Sequence, residues 1–175
     1  MEEQIMNMPA VALRGLTILP GMIAHFDISR ERSLRAVEEA MEQDQKIYLV
    51  TQRNVDSEDP TQEDLYQMGI VADIKQVVRL QNDVVRILVD GISRAALLGF
   101  TDNEKYLEAE ICYCDSNADS LPEDLREAML LGVREAFHRY AAVVGKISKE
   151  LIRQIDQYED LEKLIDYVTN NLPVI

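Results

Sequence analysis

The stretch Val85–Ala95, VRILVDGISRA, decides the fold class. Val85, Ile87 and Val89 alternate with Arg86, Leu88 and Asp90, the period-two pattern of a half-buried strand. Asp90-Gly91 reads as a break, a turn in which glycine can take a positive φ. Working outward, Asp64–Ala72 (DLYQMGIVA) leads into a strand over Gly69–Leu80. Ile70, Ala72, Ile74, Val78 and Leu80 are expected on one face of it, and Asp73, Lys75 and Arg79 on the other. Gln81-Asn82-Asp83 turns the chain between the two blocks. Ile92–Phe100 and Tyr106–Cys114 read as later strands; Ala10–Leu19, Met22–Ile28 and Ile47–Gln52 read as earlier ones, the first two flanking Pro20-Gly21. One helix is expected over Arg30–Asp44, with Leu34, Val37 and Met41 on its apolar stripe and i,i+4 pairs at Glu31/Arg35 and Arg35/Glu39. Asn54–Thr61 is a polar, acidic loop and the best candidate for a mobile tip. Six or seven strands with one early helix give an α+β fold built on a barrel-like, curled sheet.

Near residue 118 the apolar period changes from two to 3.6, across Asp115–Ser120. The expected division is a β domain over 1–117 and an α-helical subdomain over 118–175. Ser120-Leu121-Pro122-Glu123 has the pattern of a capping box. Leu125, Met129, Gly132, Ala136, Tyr140 and Val143 follow at helical spacing; Gly145 is placed to end that helix and Ser148 to cap the next. Leu151, Ile155, Tyr158, Leu161, Leu164, Ile165 and Val168 continue an apolar stripe, read as intramolecular core, with an oligomer seam as the other possibility. The ending Leu172-Pro173-Val174-Ile175 is apolar and uncharged, and leads to the expectation that the natural protein extends further.

With 175 residues, 47% hydrophobic and 29% charged, the chain has the composition of an ordinary globular protein. Its net charge of −14 opposes a nucleic-acid surface, which depends on lysine and arginine neutralising phosphates. The same charge opposes docking on anionic lipid. The opening MEEQIMNMPA is acidic where a secretory signal is basic, no run nears the roughly 20 apolar residues of a membrane span, and two cysteines make no disulfide framework. Cytoplasm is the expected location.

Read in order, the blocks Pro9-xxx-Leu13-Arg14-xxxxx-Pro20-Gly21-Met22, Lys46–Arg53 (KIYLVTQR), DLYxxGxVA over Asp64–Ala72 and LVDGxSRA over Leu88–Ala95 resemble the amino-terminal, substrate-binding domain of Lon, the ATP-dependent serine protease. The resemblance runs along the whole sequence. It implies a sheet of the pseudouridine-synthase-associated (PUA-like) type, further helices, then an AAA+ ATPase and a Ser-Lys peptidase beyond this segment. ATP and magnesium are implied for that longer parent, and a hexamer as its assembly.

No such chemistry is legible here. A phosphate loop needs GxxxxGK[ST]; at Gly145-Lys146, Tyr140 takes the first glycine's place and Ile147 the hydroxyl's. Ser148 and Lys149 are adjacent, so on a helix they diverge by about 100° and cannot form a nucleophile–base pair; they read as a cap and a surface charge. Cys112-Tyr113-Cys114 would put two sulfurs on one polar strand face, short of the four ligands that zinc needs, and His25 and His138 are remote. Neither histidine has an evident orienting carboxylate. No catalytic residue, metal ligand or cofactor contact is assigned.

Binding surface remains. Met22, Ile23 and Phe26 after the Pro-Gly turn, with Arg30, Glu31 and Arg32 at the helix start, form the candidate patch for gripping unfolded or tagged protein segments; the plainer reading is strand core and solvated capping charges. The expected function is a non-catalytic recognition and assembly domain of a Lon-like protease that degrades unfolded, damaged and selected regulatory proteins, the fragment itself being capable of dimerising. The alternative is a free-standing Lon-like adaptor without ATPase or peptidase.

Overall fold

The computed structural model describes residues 5–114 and 118–172. The protein divides into two compact units, Met1–Cys114 and Asp115–Ile175.

In the first unit the strands are β1 (Ile5–Leu13), β2 (Ile23–Ile28), β3 (Lys46–Thr51), β4 (Met68–Arg79), β5 (Val85–Phe100) and β6 (Glu108–Tyr113), with helix α1 (Glu31–Glu42) between β2 and β3. The sheet runs β2-β5-β4-β3-β1-β6, and β6 pairs again with β5. Five strands therefore form a closed ring, with β2 added to the first half of β5. All pairings are antiparallel except β1 with β3. That parallel pair requires a crossover, which β2 and α1 supply.

Two apolar clusters lie on the two faces of the sheet. Val11, Leu13, Ile47, Leu49, Ile70, Ala72 and Ile74 join Ala36, Val37 and Ala40 of α1 in one. Met8, Ala10, Ala12, Tyr48, Val50 and Val71 join Ala95, Leu97, Ala109 and Ile111 in the other. Burial on both faces explains why Ile47-Tyr48-Leu49-Val50 is apolar without interruption. The buried side of α1 is Ser33, Ala36, Val37 and Ala40, small residues that let the helix lie close on β1 and β3, while Met41 of the expected stripe is exposed. Arg35 pairs with Glu31 as expected; Glu39 accepts instead from Gln43, at 2.7 Å.

Several sequence expectations are corrected. β1 ends at Leu13, so Arg14–Leu19 is not strand. β5 passes through Asp90-Gly91 without turning, and Ile92–Phe100 is its second half. Two bulges explain the lost alternation. One, at Lys75, lies between the pairs Ile74↔Val89 and Gln76↔Leu88. It shifts parity, so Val77 rather than Val78 faces Ile87, and Lys75–Leu80 is exposed. The other, at Ile92, lies between Ala72↔Gly91 and Val71↔Ser93. The turn after β4 is as expected, with Asn82 and Asp83 both at positive φ, 58° and 57°.

Three donors converge on one carbonyl of the Asn54–Thr61 loop. The Ser57 carbonyl accepts from Arg14 Nη2 (2.9 Å), Arg30 Nη2 (3.1 Å) and Gln52 Nε2 (3.0 Å), while Arg30 Nη1 donates to Gln52 Oε1 at 3.0 Å.

The second unit holds α2 (Glu123–Val144), α3 (Lys149–Gln157) and α4 (Leu161–Asn171) around Leu130, Phe137, Ala141, Ile155, Leu161 and Leu164. Helix α2 starts with Pro122, not Ser120, in the cap position, and Pro122 offers no side-chain cap bond. Its buried stripe is Leu130, Val133, Phe137 and Ala141, rotated from the expected one; Leu125, Met129, Gly132, Ala136 and Val143 are exposed or only partly buried. Gly145 ends α2 at φ 65°, and Ser148 Oγ accepts from Leu151 N–H at 3.1 Å, both as the sequence predicts. Leu151, Ile155, Leu161 and Leu164 pack inside the unit, the core alternative of the two readings; Ile165 is exposed. Parts of two expected features, the 115–117 portion of the linker and the Pro173–Ile175 end, lie outside the described residues, as do Met1–Gln4 of the opening.

Candidate binding groove

The segment after β1 crosses the sheet and docks on β5. Gly15 and Gly21 take positive φ (63° and 75°), which permits the tight path. Gly21 N–H donates to Gly91 O at 2.8 Å and Gly91 N–H to Met22 O at 2.9 Å. Thr51 Oγ1 donates to Leu16 O at 2.8 Å and lies 3.1 Å from Thr17 Oγ1, fixing the other end. Opposite, Leu65–Met68 approaches β4 along β3 and β5: Tyr66 N–H donates to Thr51 O (3.0 Å) and Leu97 N–H to Gln67 O (2.7 Å). Leu65 is buried, which turns Tyr66 outward.

Between these two walls lies an open groove of about 690 Å³, lined by Thr17–Leu19 and Leu65–Gly69, floored by Leu49 and Thr51, and reached by Arg53 and Arg94. Tyr66 and Met68 are 53% and 48% exposed, large apolar groups at its rim. The Arg53 guanidinium lies over the Tyr66 ring, 6.0 Å from its centre, at the outer limit of a cation–π contact. Beneath the rim, Tyr48 is wholly buried and donates its hydroxyl to Ala95 O at 3.0 Å. Burial pushes that phenol well above its ordinary pKa, so it serves as a neutral structural donor. In register, the row from Met68 runs sideways through Ala96 and the buried Cys112 to the exposed Ile5, across four strands.

The sequence-derived patch does not form one surface. Met22 and Phe26 pack against the core of the first unit, while Ile23, on the other side of β2, is 68% exposed. Arg30 is part-buried in the Ser57 tether, and that burial lowers its pKa from the usual arginine value. Glu31 is exposed and engaged by Arg35. Arg32 donates to Asn103 O at 3.2 Å and stands 3.5 Å from Asp59. Tyr66 and Met68 lie in DLYQMGIVA ahead of the strand expected from Gly69; the signal for a rim is this pair of large apolar groups two apart just before Gly69.

Other sequence candidates find structural places. Cys112 is buried in β6, whereas Cys114 lies beyond the strand end with its Sγ 3.5 Å from Met68 Sδ, so the two sulfurs do not share an exposed strand face. His25 is exposed on β2. His138 does have a carboxylate, Asp156 Oδ1 at 2.7 Å, as a surface link between α2 and α3. Among the described residues no three His, Cys, Asp or Glu gather as a metal site, and no helix is long and apolar enough to cross a membrane.

The family model of the ATP-dependent protease La (LON) substrate-binding domain matches residues 7–174. The chain belongs to that family. Lon proteases align over nearly all of it: 36% identity over 174 residues with that of Lachnoclostridium phytofermentans, 35% over 169 with that of Clostridioides difficile, and 31% over 173 with Lon protease 1 of Bacillus subtilis. These alignments cover 99%, 95% and 99% of this protein but 22% of each relative, so it spans about a fifth of their length. Among solved structures, the N-terminal domain of a Mycobacterium avium complex Lon protease superposes with a TM-score of 0.74 at 16% identity, covering 97% of this protein and 84% of that one. A Lon N-terminal domain protein from Xanthomonas campestris gives 0.54 at 14%, covering 96% and 99%. The mixed α+β architecture with a curled six-stranded sheet is thus the Lon N-terminal fold.

Proposed function

We propose that this Lon substrate-binding domain is the recognition part of a longer ATP-dependent serine protease, and that it engages unfolded or tagged protein segments in the groove between Thr17–Leu19 and Leu65–Gly69. The groove carries the proposal. It is concave, largely apolar, and rimmed by a tyrosine and a methionine that the fold leaves uncovered. Such a surface suits irregular apolar side chains of varied sequence, because a thioether adapts its shape and an aromatic ring supplies area at small entropic cost. Nucleotide and peptidase chemistry belong elsewhere in that parent, because Tyr140 and Ile147 stand where a phosphate loop needs glycine and a hydroxyl. The cytoplasm is the compartment in which such a protease would meet its substrates.

Titration of a labelled, permanently unfolded polypeptide, beside its folded counterpart and without ATP, tests the proposal by fluorescence anisotropy. Saturable binding of the unfolded form alone, weakened by Tyr66→Ala, is the expected result. Equal binding of both forms, or of neither, overturns it.

For the assembly role we propose the exposed apolar face of α2. Leu151, Ile155, Leu161 and Leu164 are core, but Leu125, Met129 and Val143 of α2 are exposed, Val143 at 87%. If that face joins subunits, Met129→Glu abolishes any concentration-dependent rise in sedimentation coefficient; a dimer that survives the change removes α2 from the interface.

A further inference from the structure

The charge of the groove differs from that of the protein around it. The sequence has 32 acidic and 18 basic residues, yet the charged residues lining the groove are Arg53 and Arg94, with no carboxylate among the described residues of its walls. Arg94 stands on the floor side, paired in register with Ile70 of β4, and Arg53 stands above Tyr66 at the rim. The Arg53 guanidinium, 6.0 Å from the Tyr66 ring centre, keeps N–H groups available to an acceptor. Arg53 is exposed, and its backbone N–H ties it to the fold by donating to Asp64 O at 2.6 Å.

Resting on the recognition role above, we infer that the groove selects for segments in which an aromatic or large aliphatic residue is followed closely by a carboxylate, from Asp, Glu or a free C-terminus. The apolar side chain lies between Tyr66, Met68 and the Ile18–Leu19 wall, and the carboxylate reaches Arg53. The surrounding acidic surface repels acidic segments in general, so Arg53 acts as a local exception that positions the carboxylate. An apolar segment flanked by lysine gains nothing in the groove beyond its apolar contacts.

Three labelled 12-residue Gly/Ser peptides carrying Phe-Leu-Glu, Phe-Leu-Gln or Phe-Leu-Lys, amidated at the C-terminus, separate the ideas when titrated with the whole protein at low ionic strength. The Glu peptide is expected to bind about three- to five-fold more tightly than the Gln peptide, the range of an exposed ion pair, and this advantage should vanish at about 1 M salt. Arg53→Gln should erase the Glu/Gln difference, read as the ratio of the two peptides' affinities for that variant, while Arg53→Lys should keep part of it. Equal binding of the Glu and Gln peptides, or a difference that persists in Arg53→Gln, overturns the carboxylate preference and leaves the groove itself standing. Failure of all three peptides to bind overturns both.

Discussion

A β-carbon at residue 91 would stand 2.4 Å from the carbonyl oxygen of Leu19, a separation no side chain tolerates. Gly91 is thus the point at which the Leu19–Met22 turn rests on β5, held there by reciprocal backbone hydrogen bonds. Gly69 plays the matching part on the opposite wall, where a β-carbon would meet the Tyr48 hydroxyl at 2.4 Å and Leu49 O at 2.6 Å. Both walls of the groove depend on close approach to backbone, which only glycine allows.

Gly91→Ala should therefore destabilise the protein by about 1–3 kcal/mol, the usual cost of overpacking against groups that cannot retreat. Gly132→Ala is the opposing control. Gly132 lies in α2 with nothing within 4 Å of its added carbon, so the change should stabilise by about 0.5–1 kcal/mol through helix propensity. Urea unfolding of the three proteins checks both signs.

Arg30→Ala removes two of the bonds that hold the 54–61 loop, to Ser57 O and to Gln52 Oε1, and leaves the buried Gln52 short of a donor. The expected result is a loss of about 1–2 kcal/mol with faster proteolytic nicking within residues 54–61. A melting temperature equal to the parent's would show that the remaining contacts hold the loop without Arg30. Any loss of substrate capture in this variant must be judged against its lost stability.

Met68→Ser and Tyr66→Ala act on side chains that are half exposed, so each should shift unfolding by less than about 1 kcal/mol. Capture of an unfolded polypeptide should fall about three- to ten-fold in each, since a removed apolar rim residue costs roughly 1 kcal/mol of binding. Anisotropy and a thermal melt on the same samples separate the two effects.

Acid sensitivity has a traceable source in Lys46 Nζ, which lies 2.8 Å from Asp73 Oδ1 and bridges β3 to β4. The hydrogen bond from Lys46 holds the Asp73 carboxyl below the usual carboxylate range. Arg86 does the same to Asp27 through a two-point contact of 2.7 and 2.9 Å between β5 and β2. A depressed folded-state pKa contributes stability above the unfolded value of about 3.9, and that contribution is lost as pH falls through the folded value. Asp73→Asn should flatten the decline in stability below about pH 4 and lower stability at pH 7. Denaturation midpoints at pH 3 and pH 7 measure it; an unchanged acid slope would remove this pair from the account.

Local pattern carried a large part of this protein. Period-two runs located β2 and β4, an unbroken apolar run located β3, the 3.6-residue period located the helices, and Gly145 and Ser148 marked where two of them end and begin, since these signals are local in sequence. The order of the sequence blocks also sufficed for the Lon resemblance. What the sequence could not decide arises from partners distant along the backbone. Gly91 was read as a turn because positive φ is the commonest reason for Asp-Gly; its true reason is Leu19, 72 positions away in sequence. The bulge at Lys75 shifts parity through β4–β5 pairing, and so Val78 and Leu80 fall on the other face from the one the alternation predicts. Arg30 looked like a free surface charge until the fold brought Gln52 and Ser57 to it. The rim of Tyr66 and Met68 came into view in the same way: Leu65 turns inward against the closed sheet, and that leaves its neighbour outside.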